Sequence, residues 1–243
     1  MTAAELCVPL KWDSVFFGVS IGRLLPSTLS STDITSAVDW ARARRVACLY
    51  ALVATEDTAS RRALESSRFR AIDERLTLAR ALPSPLLPHD ARIRVATKAD
   101  IPALAALARV SHHNTRFYAD GHFARERCDA LYATWITQSV GSGNDQVLVA
   151  ADGDGLVGYL SVQQLGARVA RIGLVAVAER HQGKGFGRAL LEAGLQVAAA
   201  SGAQEIAVVT QGTNPGAVAY YTAAGFAPTG SETWYHGWFD TAS

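Results

Sequence analysis

Cysteine, methionine and long apolar runs are all scarce in this chain of 243 residues, which has 3 cysteines and 1 methionine. Cys7, Cys48 and Cys128 lie far apart, with no CxxC pair and no histidine cluster nearby, so we predict no metal site. We expect them to be small buried residues in a reducing compartment. The longest apolar stretch, VACLYALVA, is too short to span a bilayer, and the first residues do not resemble a secretory signal. We therefore expect a cytoplasmic protein without membrane insertion.

An excess of charge of one sign is also lacking. The formal net charge is +1, and no run of lysine or arginine stands out. Because neutralisation of phosphates supplies most of the sequence-independent affinity for nucleic acids, we do not expect a nucleic-acid partner. Hydrophobic residues make up 49% of the chain and charged residues 19%, which is enough apolar material for a substantial core.

The clearest break in the chain is the proline-rich segment PSPLLPHD, residues 83–90. Its three prolines block regular structure, so we predict a linker between two domains, residues 1–82 and 91–243. In the first domain we predict a strand at FFGVSIGRL, a helix at DITSAVDWARARR capped by Asp33, and a buried strand at VACLYALVA. A helix at TASRRALESS and a strand at RAIDERLTLAR complete this α/β unit.

The second domain alternates helix and strand patterns. A strand at RIRVAT precedes helices at KADIPALAALARV and RERCDALYATWITQSV. The segments QVLVAA, LVGYLSVQQL and ARVARIGLVAV predict three antiparallel strands, the first two joined by a DGDG turn. A helix after Gly187, a strand at EIAVVT, a helix at NPGAVAYYTAAG and a strand from Phe226 follow. The fold class is therefore α/β, with a mixed sheet.

The segment HQGKGFGRALL places Gly183, Gly185 and Gly187 ahead of an apolar helical run. The spacing is not that of a Rossmann fingerprint, because position 188 is an arginine, and the Walker pattern is absent as well. Backbone N–H groups from Gln182 to Arg188, at the start of a helix, suit an anion such as a pyrophosphate. The alternative is a turn that merely lets the helix pack on the sheet.

Two segments resemble the GNAT family of N-acetyltransferases. LVAVAERHQGKGFGRALL resembles its cofactor-binding segment, in which R/Q-x-x-G-x-G/A opens a helix after a strand. NPGAVAYYTAAGF resembles its motif N-x-x-A-x-x-x-Y-x-x-x-G-F, with Asn214, Ala217, Tyr221, Gly225 and Phe226 in place. The resemblance implies a GNAT fold over residues 91–243 and acetyl-CoA as the co-substrate. The residues that it implies for acetyl-CoA binding are Val175, Val177, Gln182, Gly183, Lys184, Gly185, Phe186, Gly187, Arg188 and Asn214.

Acyl transfer from a thioester to an amine requires a neutral amine, a polarised carbonyl, a stabilised oxyanion and a proton for the leaving thiolate. Tyr221 matches the family's general acid, whereas Tyr220 points to another face of the helix and is expected in the core. A backbone N–H near Val175, where the strand splays from its neighbour, is the implied oxyanion donor. Asn214 is expected to cap its helix, with or without a contact to the CoA arm.

A narrower resemblance covers most of the chain. KWDSVFFGVSIGRL, SHHNTRFYAD, YATWITQSV and VVTQGTNPGAVAYY resemble GNAT enzymes that acetylate TDP-linked amino-deoxy sugars for surface polysaccharides. These enzymes carry a partial GNAT-like domain ahead of the complete one, and the resemblance implies a nucleotide-sugar acceptor and a homodimer. TRFYAD offers Arg116, Phe117 and Tyr118 together in a loop, where the arginine suits a phosphate. Gln211 ends a strand near the expected acetyl group.

Several alternatives stay open from the sequence. The acceptor is otherwise another amine, such as a protein N-terminus, a polyamine or an aminoglycoside, or the chain is a catalytically silent acyl-CoA-binding module. No base is assigned, since His112, His113 or a chain of waters would serve. Trp12 and Phe17 either line the acceptor side or attach the N-terminal domain. The closing run WYHGWF, residues 234–239, forms either a dimer edge or an aromatic wall.

Overall fold

The protein is described by a computed structural model that covers residues 6–82, 90–143, 145–153 and 155–239. The strands are Cys7–Pro9 (β1), Ile21–Leu24 (β2), Cys48–Ala54 (β3), Phe69–Ala81 (β4), Ile93–Val95 (β5), Asp145–Asp152 (β6), Gly155–Gln164 (β7), Val169–Val177 (β8), Glu205–Gln211 (β9) and Ala227–Trp238 (β10). The α-helices are Lys11–Phe17 (α1), Ser31–Ala43 (α2), Thr58–Glu65 (α3), Ile101–Ser111 (α4), Arg116–Asp120 (α5), Arg125–Ser142 (α6), Phe186–Ala200 (α7) and Pro215–Ala223 (α8). The predicted mixed α/β class is confirmed.

All ten strands form one sheet, in the order β1-β2-β3-β10-β4-β9-β8-β7-β6-β5. The last strand, β10, lies between β3 and β4 and is antiparallel to both, while β4 also pairs with β9. A strand from the C-terminal end is thus inserted among N-terminal strands. The division into two domains stays a prediction, and residues 83–89 of the predicted linker lie outside the described residues. The interleaving brings side chains from both ends of the chain onto one surface.

The helices cover both faces of the sheet. One face packs an apolar cluster that includes Tyr50 of β3 and Tyr159 of β7 against α1, α4, α5 and α6. Adjacent residues in the same strands, such as Leu49 and Leu160, point the other way and pack against α2 and α3 or against α7. The first face therefore extends across both halves of the chain, and we call it the acceptor face. No described helix has the length and apolar character needed to cross a bilayer.

Three predicted elements were wrong. FFGVSIGRL does not form one strand, because α1 runs to Phe17 and ends at Gly18, whose φ of 73° terminates a helix. Asp33 is not the cap of α2; Ser30 is, and Asp33 completes its capping box. TRFYAD is not a loop, since α5 begins at Arg116.

The other predicted helices and strands are present, including the antiparallel set β6, β7 and β8. Of the DGDG turn between β6 and β7, position 154 lies outside the described residues. Residues 234–238 of the run WYHGWF lie in β10, between two neighbouring strands, so they do not form a sheet edge, and Phe239 follows the strand. Its alternate residues Trp234 and Trp238 pack on the acceptor face, as an aromatic wall would.

Candidate active site

Strands β8 and β9 separate at one end, which opens the sheet. Their parallel pairing extends only from Val169 to Ile172 on β8, although both strands continue beyond it. A bulge in β8 lies at this point, opposite Ser161 of β7, whose Oγ accepts a hydrogen bond of 2.8 Å from the Leu174 N–H. Bulges bend the strand that carries them, so the departure of β8 from β9 is built into the backbone.

The backbone direction after the bulge follows from two hydrogen bonds. Leu174 donates to the Ser161 side chain and Ala178 donates to Val157 O, so both N–H groups point toward β7. Successive residues of a strand alternate, and the N–H groups of Val175 and Val177 therefore face the opening. The carbonyl of Val177 already accepts a hydrogen bond of 3.1 Å from Gln182 Nε2. Val175 thus offers a backbone N–H at the predicted position.

The glycine loop leads into α7 beside this opening. Gly183 and Gly185 have φ values of 73° and 85°, a region that other residues rarely adopt, and a Cβ at either position would face open space. Gly185 is the N-cap of α7, and no side chain caps the first N–H groups of that helix. These groups are therefore free to bind an anion. Phe186 contributes backbone alone, because its ring is 5% exposed and packs in the core.

A groove of about 1230 Å³ runs along the loop and the end of β8. It is lined by residues predicted to bind acetyl-CoA, namely Val175, Val177, Gln182, Gly183, Gly185, Gly187, Arg188 and Asn214. Lys184 is exposed within the same loop. Arg180 also lines the groove, and it was not predicted although it directly precedes the segment HQGKGFGRALL. Leu107, Val110 and Ser111 of α4 line it as well, and no local motif marks them.

The groove fits a long anionic thioester such as acetyl-CoA. Free N–H groups at the start of α7 and two arginines suit a pyrophosphate, and the opened backbone of β8 suits the amide-bearing arm. Arg188 is held by Glu192 of the next turn through a hydrogen bond of 2.7 Å from Nε. Asn214 caps α8 by accepting a hydrogen bond of 3.1 Å from the Ala217 N–H, and it lies at the groove as well.

The two tyrosines of α8 differ from each other. Tyr221 is 2% exposed and packs with Phe226 in the apolar cluster that Val175 also contacts. Burial raises the pKa of Tyr221, so its hydroxyl stays protonated at neutral pH. Tyr220 packs against the core, as expected, but unlike Tyr221 it also lines the groove, and it donates a hydrogen bond of 2.7 Å to the Gly187 carbonyl. It therefore links α8 to the first turn of α7.

Arg116 lies on the acceptor face among aromatic rings. Its guanidinium carbon is 4.2 Å from the ring centres of Tyr50, Phe117 and Trp234. Such cation–π contacts hold a guanidinium in place while leaving its N–H groups available to other partners. Nη1 forms a hydrogen bond of 2.9 Å with His236 Nε2. Sequence reasoning did not find these partners, because they come from strands far away in the chain.

The hydrogen bonds around His236 define its protonation state. Because arginine has no acceptor, Nε2 of His236 must accept from Arg116, and the ring proton must lie on Nδ1. Nδ1 donates to Asp120, which also accepts a hydrogen bond of 3.0 Å from Trp238 Nε1. Burial lowers the pKa of His236 to about 4, which agrees with a neutral ring. Asp120 and His236 thus fix the position of Arg116.

Of the two residues grouped with Arg116 in the prediction, Phe117 contacts its guanidinium, and neither offers a free side chain to a ligand. Phe117 is 4% exposed, and its ring packs against Phe17, 5.1 Å away, so it cannot stack on a ligand. The Tyr118 hydroxyl donates to Asp129 at 2.6 Å. Phe117 therefore packs on Arg116 rather than on a ligand, and the Tyr118 hydroxyl is engaged with Asp129. The ring contact between Phe17 and Phe117 also attaches α1 to α5.

The remaining predicted residues lie in separate surroundings. Gln211 is the last residue of β9 and pairs with Arg75 of β4. His112 is bound to the Tyr159 hydroxyl at 2.6 Å, and burial lowers the pKa of His112 to about 4. His113 is exposed. Trp12 is 39% exposed and stacks on Phe16.

Comparison with known proteins agrees with this geometry. Residues 107–226 match the Acetyltransferase (GNAT) family. The chain is 32% identical to dTDP-fucosamine acetyltransferase of Escherichia coli O6:H1 over 89% of its own length and 91% of that protein. Among solved structures, a GCN5-related N-acetyltransferase from Sphaerobacter thermophilus superimposes on 98% of this chain over 79% of its own length, with 16% identity and a TM-score of 0.66. A tandem GNAT protein from the clavulanic acid biosynthesis pathway superimposes on 93% of this chain over 77% of its own length, with 19% identity and a TM-score of 0.63.

Proposed function

Because this chain belongs to the GNAT family of acetyltransferases, we propose that it transfers the acetyl group of acetyl-CoA to the amino group of a TDP-linked amino-deoxy sugar, such as TDP-4-amino-4,6-dideoxygalactose. The observation that carries this acceptor is the extent of the likeness to dTDP-fucosamine acetyltransferase, which covers 89% of this chain. The likeness thus includes the N-terminal strands that contribute to the surroundings of Arg116. The N-acetylated nucleotide sugar would serve polysaccharide biosynthesis.

The groove holds acetyl-CoA, which supplies the acetyl group as a thioester. The N–H groups of Gly183, Gly185 and Gly187 and the charges of nearby basic side chains bind its pyrophosphate, whereas the Gln182 N–H is already bonded to the Glu179 carbonyl. Val175 and Val177 present backbone groups to its arm in the opening between β8 and β9. Asn214 contacts the same arm from the start of α8.

The acetyl group lies where the strands separate. The Val175 N–H stabilises the oxyanion that forms when the amine attacks the thioester carbonyl. Tyr221 is the general acid that gives its proton to the leaving thiolate, a role worth about 10²- to 10⁴-fold in rate. Its raised pKa ensures that the proton is present before the reaction begins.

The acceptor binds on the face of the sheet that carries Arg116. Arg116 offers planar, charged donors to the anionic part of the nucleotide sugar, and Gln211 lies at the opening on the same face as Arg75. Of the predicted acceptor residues, Phe117 is left without this role by its burial. A homodimer remains our proposal for the assembly.

The test is thiol release from acetyl-CoA with a panel of TDP-amino sugars, and with peptides and polyamines as controls. Wild type and Tyr221→Phe are compared in the same assay. Turnover confined to a TDP-amino sugar, and lowered about 10²-fold or more in the variant, supports both the acceptor and the acid. Turnover with peptides or polyamines alone would overturn the acceptor. Binding of acetyl-CoA without any thiol release would point to a silent module.

A further inference from the structure

A group of polar side chains surrounds Arg116 on the acceptor face and is not used by the roles given above. Asp13 comes from α1, Tyr50 from β3, Asp73 from β4 and Tyr132 from α6. All four interact electrostatically with Arg116. We call these residues, together with Arg116 and Trp234, the Arg116 cluster. Five of its six members come from outside α5.

Asp73 lies at the rim of the opening between β8 and β9. It is directly opposite Trp234 on β10, at a bulge that adds one residue to β4. Two residues later, Arg75 pairs with Gln211, the last residue of β9. Asp73 and Arg75 point to the same face, so Asp73 lies just beyond the end of β9 on the side of Arg116. Bulges often redirect a side chain beside an active site.

The cluster contains two carboxylates, Asp13 and Asp73, and one cation, Arg116. Within the described residues, neither Asp13 nor Asp73 has a salt-bridge partner within 4 Å, and Arg116 is the cation that influences both. A second arginine, Arg23 of β2, lies over the Trp234 ring at 5.4 Å from its centre, but it forms no salt bridge with either carboxylate. Both carboxylates are therefore without a direct cationic partner, and an ammonium group of a ligand would supply one.

A second observation points to a ligand independently. Tyr50 is 0% exposed, and its hydroxyl has no hydrogen-bond partner among the described residues. A buried hydroxyl without a partner is costly, and Arg116 and Asp13 are among the groups that act on it. Trp234 provides an apolar ring beside the same group. Carboxylates, a free hydroxyl, a guanidinium and an indole ring together suit a molecule that carries an ammonium group, hydroxyls and an apolar ring face.

On the premise of the proposed function, we propose that Asp73 binds the ammonium group of the acceptor and removes its proton. The proton moves from R–NH₃⁺ to the Asp73 carboxylate, which leaves R–NH₂ and a carboxylic acid. The nitrogen lone pair then forms the C–N bond, the C–S bond breaks, and Tyr221 supplies a proton to the sulfur. The nitrogen loses its second proton as the amide forms, and this proton restores the Tyr221 hydroxyl. Asp73 loses its proton to solvent before the next turnover.

The surroundings of Asp73 agree with a base that works near neutral pH. Burial raises the pKa of Asp73 to about 6, while Arg116 counteracts this effect. The other groups that act on it or respond to it are Glu74 on the same strand and Tyr132 of α6. A base with this pKa is ionised at pH 7 and still holds a proton far better than an exposed aspartate does.

Two measurements on Asp73→Asn test this inference, with Glu74→Gln as the matched control. Glu74 is the next residue on β4, is exposed, points to the other face and accepts a hydrogen bond from Ser231 Oγ. Because its charge raises the pKa of Asp73, its variant keeps the base, and we expect it to shift the fall in kcat/KM slightly to lower pH without abolishing it. The first measurement is kcat/KM against pH for whichever amine the wild type acetylates. We expect Asp73→Asn to lower it about 10²-fold and to abolish the fall below about pH 6, with acetyl-CoA affinity unchanged. An unchanged pH profile in Asp73→Asn would overturn the inference.

The second measurement is binding and needs no turnover. Affinities for TDP-4-amino-4,6-dideoxygalactose and for TDP-6-deoxygalactose, which has a hydroxyl in place of the amine, are compared by calorimetry. We expect the wild type and Glu74→Gln to prefer the amine by about 10-fold or more, and Asp73→Asn to lose that preference. An absence of amine preference in the wild type would contradict the role of Asp73. Thiol release with no TDP-amino sugar is a separate result, which would overturn the proposed acceptor.

Discussion

The groove along β8 and the Arg116 cluster lie next to the same opening, but they are built differently. The groove consists largely of backbone: N–H groups of a glycine loop, the start of α7, and the freed end of β8. The Arg116 cluster consists of side chains from six separate elements. One side therefore depends on local conformation, and the other on the arrangement of the whole sheet.

This difference has a consequence for how each side responds to mutation. A backbone site tolerates many side-chain changes and fails where a substitution prevents the required φ angle. A side-chain site fails when one charge is lost, because its partners are left buried without compensation. We therefore expect substitutions in the two regions to separate acetyl-CoA affinity from acceptor affinity.

The largest effect is expected at Arg116. Arg116→Met removes the charge but keeps a long apolar side chain among the rings. We expect kcat/KM for the acceptor to fall about 100-fold, because charged hydrogen bonds are lost, while the Kd of acetyl-CoA changes less than about 2-fold. Steady-state kinetics and calorimetry measure the two quantities. Arg62→Met, at an exposed position of α3, is the control. Equal losses in both quantities would show that the two sides are not separable.

The next effect concerns the stability of the fold at acid pH, which depends on His236 beside Arg116. The pKa of His236 is lowered from its usual 6.5 to about 4, so between these values the unfolded chain binds a proton that the folded chain excludes. His236 therefore stabilises the fold fully above about pH 6.5, and up to about 3 kcal/mol is lost as the pH falls to about 4. A protonated ring would also present a donor to Arg116 in place of an acceptor.

Urea unfolding at pH 7.5 and at pH 5.0 measures this loss. His236→Gln is the informative variant, because its amide oxygen can accept from Arg116 and its amide nitrogen can donate to Asp120. We expect the variant to reduce the dependence of unfolding free energy on pH. His112, whose pKa is also lowered to about 4, accounts for a remaining slope of the same sign. An unchanged slope in His236→Gln would assign the acid sensitivity elsewhere.

The two sides also differ in how far the sequence predicted them. The glycine loop, the strand before it and the helix after it are contiguous, so their pattern was sufficient to predict the groove. Arg116 and His236 are 120 positions apart, and their contact depends on the insertion of β10 between β3 and β4. No local pattern specifies that insertion, which is why the surroundings of Arg116 could not be predicted.

Errors at the scale of single residues have a local cause. Arg116, Phe117 and Tyr118 were grouped because they are adjacent, but in a helix adjacent side chains point about 100° apart. Gly121, with a φ of 78°, is the helix-terminating signal that was overlooked. The pair Tyr220 and Tyr221 illustrates the same limit, since the motif identified one residue and left its neighbour without a role.

An intermediate effect is expected on the cofactor side. Gly185→Ala forces a residue with a Cβ into a φ of 85°, which costs about 1–2 kcal/mol. If the loop relaxes instead, its N–H groups lose their common direction, and we expect the Kd of acetyl-CoA to rise about 10-fold. Gly166→Ala is the control, because that glycine lies in a turn with open space and no positive φ. Calorimetry with acetyl-CoA compares the variants. Equal affinities would contradict the requirement for a positive φ at Gly185.

The smallest effect is expected at Tyr220, and it separates the two tyrosines of α8. Tyr220→Phe removes the hydrogen bond to Gly187 O, whose net value is about 0.5–1.5 kcal/mol. Because this bond joins α8 to the first turn of α7, its loss loosens the groove and should weaken acetyl-CoA binding about 2- to 10-fold. We expect kcat at saturating acetyl-CoA to stay unchanged, whereas Tyr221→Phe should lower kcat and leave the Kd unaltered. If Tyr220→Phe lowered kcat instead, the acid would have to be reassigned to the tyrosine that lines the groove.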